Sequence, residues 1–320
     1  MLRKVCISLV LIAAIGAPAG AQTYPNKSIR LIVPFTPGGG SDIWARIVAP
    51  RLIEAWGQQV IIDNRPGAGG TIGSHLMANA TPDGHTLMLT SSAFAGAPSI
   101  YPKLPFDPYK DFAPVSMIGG TPLVLVVAPA LGVKSVKELI ELARSQPGKL
   151  TFGSAGIGSG THYGGELFKL KSRIDVVHVP YKGVPEHLTD TISGRIQYSL
   201  PPILSTVSLV REGRLLALGV TTRERSALLP DAPTIAEAGV PGFEYEGWFG
   251  VFAPAKTPRA VIDKLGIELR RILELPDTQK KIGAIGGRTL PSSPEEFVQH
   301  IREEIETRGR IFKAAGAQPG

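Results

Sequence analysis

The chain has 320 residues, of which 43% are hydrophobic and 19% charged, with a formal net charge of +7 and a single cysteine. That length is two ordinary domains, and one cysteine excludes a disulfide framework. The basic excess is mild and scattered, with no Lys/Arg run interleaved with aromatics, which excludes a nucleic-acid surface as the organising feature.

The first 21 residues read as a secretory leader. Arg3 and Lys4 open it, Val5 to Ile15 is an apolar run of 11 residues, and Ala19-Gly20-Ala21 has the A-x-A form of a cleavage site before Gln22. The run is too short to span a bilayer, and nothing later approaches 18 uninterrupted apolar residues. Cleavage after Ala21 leaves 299 residues of net charge +5, and Cys6, the only thiol, departs with the leader. The expected product is a soluble protein exported to the periplasm, without disulfides, a thiol nucleophile or a cysteine-held metal.

Ile29 to Val33 is an aliphatic run expected to be a buried strand. Pro34, Pro37 and Gly38-Gly39-Gly40 break it, and Ser41 or Asp42 can open a helix. That helix carries Ile43, Ile47, Val48 and Leu52 at helical spacing and ends at Gly57. A short strand follows at Val60 to Ile62, then a Gly-rich loop from Asn64 to Gly70, a helix to about Ala80, and a strand from His85 to Thr90. The alternation is that of a parallel sheet covered by helices. From Ser91 to Pro114 the prolines at 98, 102, 105 and 108 predict irregular chain.

A second α/β unit begins at the apolar strand Leu123 to Ala128, with a helix over Val136 to Ser145. Leu150 to Phe152 is a strand that runs into Gly153-Ser154-Ala155-Gly156-Ile157-Gly158-Ser159-Gly160-Thr161-His162, and a helix continues to about Leu170. Strands at Val176–Val179, Ile196–Leu200 and Leu215–Thr221 alternate with helices near Pro185–Ser193 and Ser205–Arg211. The strand-like run Tyr245 to Phe252 and helices at Pro258–Leu273 and Pro294 to about Ala314 complete the chain. The strand, small-residue loop and helix start at 29–42 thus recur at 150–162. Both present free N–H groups at the positive end of a helix, a setting for a small anion.

Competing chemistries lack their frames. No G-x-G-x-x-G or P-loop exists in any of the glycine loops, Ser154 lacks the first glycine of G-x-S-x-G, H-E-x-x-H is absent, and the six histidines never fall at a ligand spacing. No cofactor and no metal are expected. His162 at the second helix start could donate to a ligand or make a structural hydrogen bond, and Lys182, after Val176–Val179, is either a charge near the cleft or a solvated lysine.

The runs IRLIVPFTPGGGSD, NRPGAGGTIG, LTFGSAGIGSGTHYGGELF, HVPYKG and LPDAPTIAEAGVPGFE, in this order over almost the whole mature chain, resemble the tripartite tricarboxylate transporter receptors, also called Bug proteins. The resemblance implies a two-lobed α/β fold of the type II-like periplasmic binding protein kind. Each lobe would be a mainly parallel sheet flanked by helices, with residues 22–122 and 247–320 in lobe 1 and 123–246 in lobe 2. Two crossing strands, near Thr121 to Leu125 and Phe243 to Gly250, would join them. It implies a monomeric solute receptor, not an enzyme, that closes on a small organic carboxylate and delivers it to large and small integral-membrane transporter subunits.

Carried across residue by residue, one wall of the site is Phe35, Pro37, Gly39, Gly40, Ser41 and Asp42 and the other is Ser154, Gly156, Ser159, Thr161 and His162. Asp42 would cap or hold water, since it repels an anion. Ser91, Phe94, Pro201 and Phe249 are candidates for the rest of the pocket. Many relatives carry G-x-V-D where this chain has Gly194-Arg195-Ile196-Gln197; with a neutral Gln197, and Asp190 as the remaining partner for an ammonium group, a non-amino carboxylate is favoured. The alternatives are a sensor serving a signalling partner and a secreted hydrolase using Ser154 or Ser159 with His162.

Overall fold

The computed structural model describes residues 24–317, so the expected leader and its cleavage site lie outside the described residues. The first α/β unit runs β1 (Ile29–Val33), α1 (Gly40–Trp56), β2 (Val60–Asn64), α2 (Thr71–Ala78), β3 (Thr86–Ser91), α3 (Ala93–Ile100) and β4 (Phe112–Pro122). The second runs β5 (Val124–Val127), α4 (Val136–Ser145), β6 (Thr151–Ser154), α5 (Gly160–Ser172), β7 (Val177–Pro180), α6 (Val184–Ile192), β8 (Tyr198–Ser199), α7 (Val207–Arg211) and β9 (Leu216–Val220). The chain then forms β10 (Glu246–Pro254), α8 (Arg259–Glu274), α9 (Pro276–Ala284), β11 (Arg288–Thr289) and α10 (Pro294–Ala315).

The strands make two sheets, ordered β11-β4-β10-β3-β1-β2 and β7-β6-β8-β5-β9. Both are mixed. Pairing is parallel through β2-β1-β3 and β7-β6-β8, where helical crossovers join the strands. It is antiparallel through β3-β10-β4-β11 and β8-β5-β9, where the chain enters and leaves each sheet.

Each sheet has its own apolar core, one built on Trp44, Leu31, Phe252 and Leu269, the other on Phe152, Phe168, Tyr198 and Phe243. A third cluster sets Phe35 and Ala93 of the first unit against Val124, Ala155 and Ile203 of the second. The chain passes between sheets at Leu123 and again before Glu246, close to the expected crossings. Thr221 ties the two passages together: its hydroxyl accepts from the Leu123 amide at 2.9 Å and its carbonyl from the Tyr245 amide at 2.8 Å.

Three differences from the sequence reading have physical causes. The stretch expected to be irregular contains α3, which tolerates Pro98 because a short helix loses one bond to it while Phe94, Ala95 and Ala97 are buried. β4 was hidden by its Gly119-Gly120 and its prolines. Gly119 is required by packing, since a Cβ there would lie 2.1 Å from the Trp44 ring. Finally, α10 packs on both α3 and α5, and its Phe312 belongs to the second core, so the C-terminal helix is shared by the two units.

Candidate functional site

The turn after β1 is shaped around Asp42. This buried carboxylate accepts from the Gly38 amide at 2.9 Å, Arg46 Nε at 2.8 Å and Asn64 Nδ2 at 3.1 Å, while Asn64 Nδ2 also reaches the Phe35 carbonyl at 3.0 Å. Burial would raise its pKa, but the hydrogen bonds from Arg46, Gly38 and Asn64 outweigh burial and hold it below the usual carboxylate range. The charge is thus spent inside the turn. Gly39 caps α1 without a side-chain bond, and the amides of Gly40, Ser41 and Asp42 have no acceptor within the helix and none among the described hydrogen bonds.

The turn after β6 has the same plan with hydroxyls added. Gly156 and Gly158 take positive φ values of 108° and 81°. Ser159 caps α5, accepting from the His162 amide at 3.1 Å, and Thr161 Oγ1 accepts from the Ala155 amide at 2.8 Å and contacts Ser159 Oγ at 3.0 Å. The first-turn amides of Gly160 and Thr161 are likewise unused.

These two helix starts face one cavity. Phe35, Gly39, Gly40, Ser41, Ser91 and Ser92 form one wall; Ala155, Ser159, Gly160, Thr161, Val184 and Pro202 form the opposite one. The crossing chains close the back with Thr121, Leu123, Tyr245, Gly247, Trp248 and Phe249. Among the described residues no charged side chain lines it. Any negative charge inside must therefore be met by amide dipoles and hydroxyls.

The cleft is shut. Across it Thr36 Oγ1 donates to Glu186 Oε2 at 3.2 Å and Tyr101 OH to the Ile157 carbonyl at 3.4 Å. The backbones meet as well, since a Cβ on Gly69 would lie 1.8 Å from the Ile157 oxygen and one on Gly96 2.1 Å from the Gly158 oxygen.

The remaining residues expected at the ligand lie elsewhere. Pro37 is exposed on the outside of its turn, and Asp42 holds that turn as described. Ser154 is fully buried behind the second loop, 2.6 Å from His178 Nε2. Gly156 lines the outer mouth with Tyr181 and Lys182. His162 accepts from the Gly158 amide through Nδ1 at 3.1 Å and stacks on His178 at 3.9 Å, so its role is to brace the loop. Asp190 accepts from Tyr181 OH at 2.8 Å and from Arg195 at 3.1 Å. Gln197 faces Thr151, taking its amide at 2.8 Å. Phe94 belongs to the first core, and Pro202 stands in the wall where Pro201 was expected.

Among the described residues no serine is hydrogen-bonded to the His162 ring: Ser159 accepts from its amide, and Ser154 pairs with His178 outside the cavity. Sequence reasoning missed Ser92, Thr121, Tyr245 and Trp248. The available signal was their place on or beside the crossings, which any ligand held between two such units must face.

Two mixed α/β units joined by crossing strands around one cleft define the periplasmic binding protein fold. Residues 44–317 match the family described as tripartite tricarboxylate transporter family receptor, and the chain belongs to that family. Protein BugT of Bordetella pertussis is 35% identical over 308 residues, which is 96% of this chain and 94% of BugT. Among solved structures, R. palustris Rpa4515 with adipate is 36% identical with a TM-score of 0.88, over 92% of this chain and 98% of that one. MatC (Rpa3494) from Rhodopseudomonas palustris with bound malate is 31% identical with a TM-score of 0.85, over 90% of this chain and 99% of that one.

Proposed function

We propose that this receptor captures a small organic carboxylate without an amino group and delivers it to the membrane subunits of a tripartite tricarboxylate-type transporter. The carboxylate lies between the amides of Gly40 and Ser41 on one side and those of Gly160 and Thr161 on the other. The observation that carries this reading is the meeting of two sets of first-turn helix amides without acceptors, Gly40 and Ser41 and Gly160 and Thr161, at a cavity lined, among the described residues, by no charged side chain. An α-ammonium group would find no carboxylate partner on these walls and would be left desolvated and unpaired. The adipate and malate held by two relatives support the same class of ligand.

Residues 24–122 and 247–317 form the lobe that carries the first loop, and 123–246 the lobe that carries the second. The lobes close by bending at the two crossings, and the closed surface is what the membrane subunits recognise in the periplasm. Among the described residues no helix is long and apolar enough to cross a membrane, in keeping with a receptor that hands its ligand to separate membrane subunits.

A thermal-shift screen with adipate, malate, citrate, benzoate and aspartate tests this reading. At least one non-amino carboxylate raises the melting temperature by several degrees and aspartate does not. A series in which no carboxylate shifts the transition, or in which aspartate alone does, contradicts it.

A further inference from the structure

Arg308 on α10 has no exposed surface at all. Its guanidinium lies 4.3 Å over the ring of Tyr163, and its Nε donates to Glu304 Oε2 at 2.7 Å. The same carboxylate oxygen accepts from Trp248 Nε1 at 3.2 Å. Burial disfavours the charge, yet Tyr245 and Glu304 outweigh burial and hold the arginine above its ordinary pKa. A fully buried arginine, paired with Glu304, therefore sits behind the cavity wall, with Arg308 at Tyr245 and Glu304 at Trp248.

The chain of hydrogen bonds leading from Arg308 has a preferred direction. A guanidinium has only donors, so Nη2 donates to the Tyr245 hydroxyl at 3.0 Å and occupies a lone pair there. Tyr245 Oη also lies 2.9 Å from Ser92 Oγ; either hydroxyl could donate in that contact, and the arrangement that leaves the tyrosine hydrogen paired is donation from Tyr245 to Ser92. Ser92, having accepted, keeps its own hydrogen for a third direction. Ser92 and Tyr245 both line the cavity.

We propose that Arg308 is a positioning residue that, through Tyr245, sets Ser92 as a hydrogen-bond donor into the cavity. The ligand group seated at Ser92 is then an acceptor, a carboxylate or carbonyl oxygen, and an ammonium or amide N–H is disfavoured there. The identity of that ligand rests on the function proposed above, whereas the wiring does not.

The hydrogen-bond wiring can be read without any ligand. In Ser92→Cys the introduced thiol is the only one in the processed chain, because Cys6 lies in the expected leader. Its titration is followed by thiolate absorbance at 240 nm. Adding Arg308→Met raises the thiol pKa by about one unit, Arg308→Lys restores part of the shift, and Tyr245→Phe raises it in its own right. An unchanged pKa in Arg308→Met overturns the proposal. Should that variant fail to fold, an unchanged pKa in Tyr245→Phe does the same.

Calorimetry with adipate and malate supplies the second arm. In the chain with native Ser92, Arg308→Met weakens whichever binds by about tenfold, and Arg308→Lys by less. If neither probe binds the native protein, the thiol titration still decides the role of Arg308.

Discussion

A methyl group on Gly96 would collide with the Gly158 carbonyl across the cleft, yet Gly96 lies inside α3, where alanine is otherwise preferred to glycine. Gly96→Ala therefore separates closing from folding. Without ligand its melting temperature is unchanged or slightly raised, while calorimetric affinity for the bound carboxylate falls by at least about tenfold; equal affinity would count against closure at this contact. Gly40→Ala acts inside the cavity instead, because its Cβ would sit 2.8 Å from the Phe249 ring tip.

Asp42 gives a pH signature of its own. Its carboxyl is depressed in the fold, so the stabilisation is present above the ordinary value of 3.8 and is lost as pH falls below it; Asp42→Asn should lower stability at pH 7 and flatten that acid limb. At this scale Gly39, Gly40, Ser41, Ser159 and Thr161 were expected from the family resemblance and stand in the cavity lining, whereas Gly160 and Gly247 were not named. Arg308, Tyr245 and Ser92 could not be expected, because their partners lie 63 and 153 positions away.

The strand, turn and helix-start units at β1–α1 and β6–α5 were legible because an aliphatic run followed by glycines and a capping residue admits few other structures. α3 and β4 were not. Proline and glycine there argue locally against an element that packing, with Trp44 over Gly119, then requires. The α5 cap offers a direct test of its unit: Ser159→Ala removes the acceptor for the His162 amide and should lower stability by about 1 kcal/mol in urea unfolding.

β7 and α6 supply a second, pH-dependent test. Burial above all, aided by His162, pushes the His178 pKa down to about 2, and burial alone pushes that of His187 down to about 3. Both stay neutral in the fold, whereas the unfolded chain takes up protons below about 6.5. Unfolding free energy should thus fall by roughly 1.4 kcal/mol per pH unit for each histidine between about pH 6.5 and pH 3. A stability profile that stays flat from pH 7 to pH 5 would contradict this.

For the whole molecule, the two-unit plan followed from the order of motifs, but the closed cleft and the sharing of α10 between the units are long-range facts with no local signal. Closure brings two helix N-termini together, so each alone should hold an anion weakly and the pair tightly. Small-angle scattering should show a smaller radius of gyration with saturating ligand, and Gly96→Ala should lose most of that contraction. The central claim is tested most directly by a crystal structure with the carboxylate selected in the thermal screen. The account predicts one carboxylate group within hydrogen-bond distance of the Gly40 and Ser41 amides and of the Gly160 and Thr161 amides; a ligand whose carboxylate sits away from either helix start would contradict it.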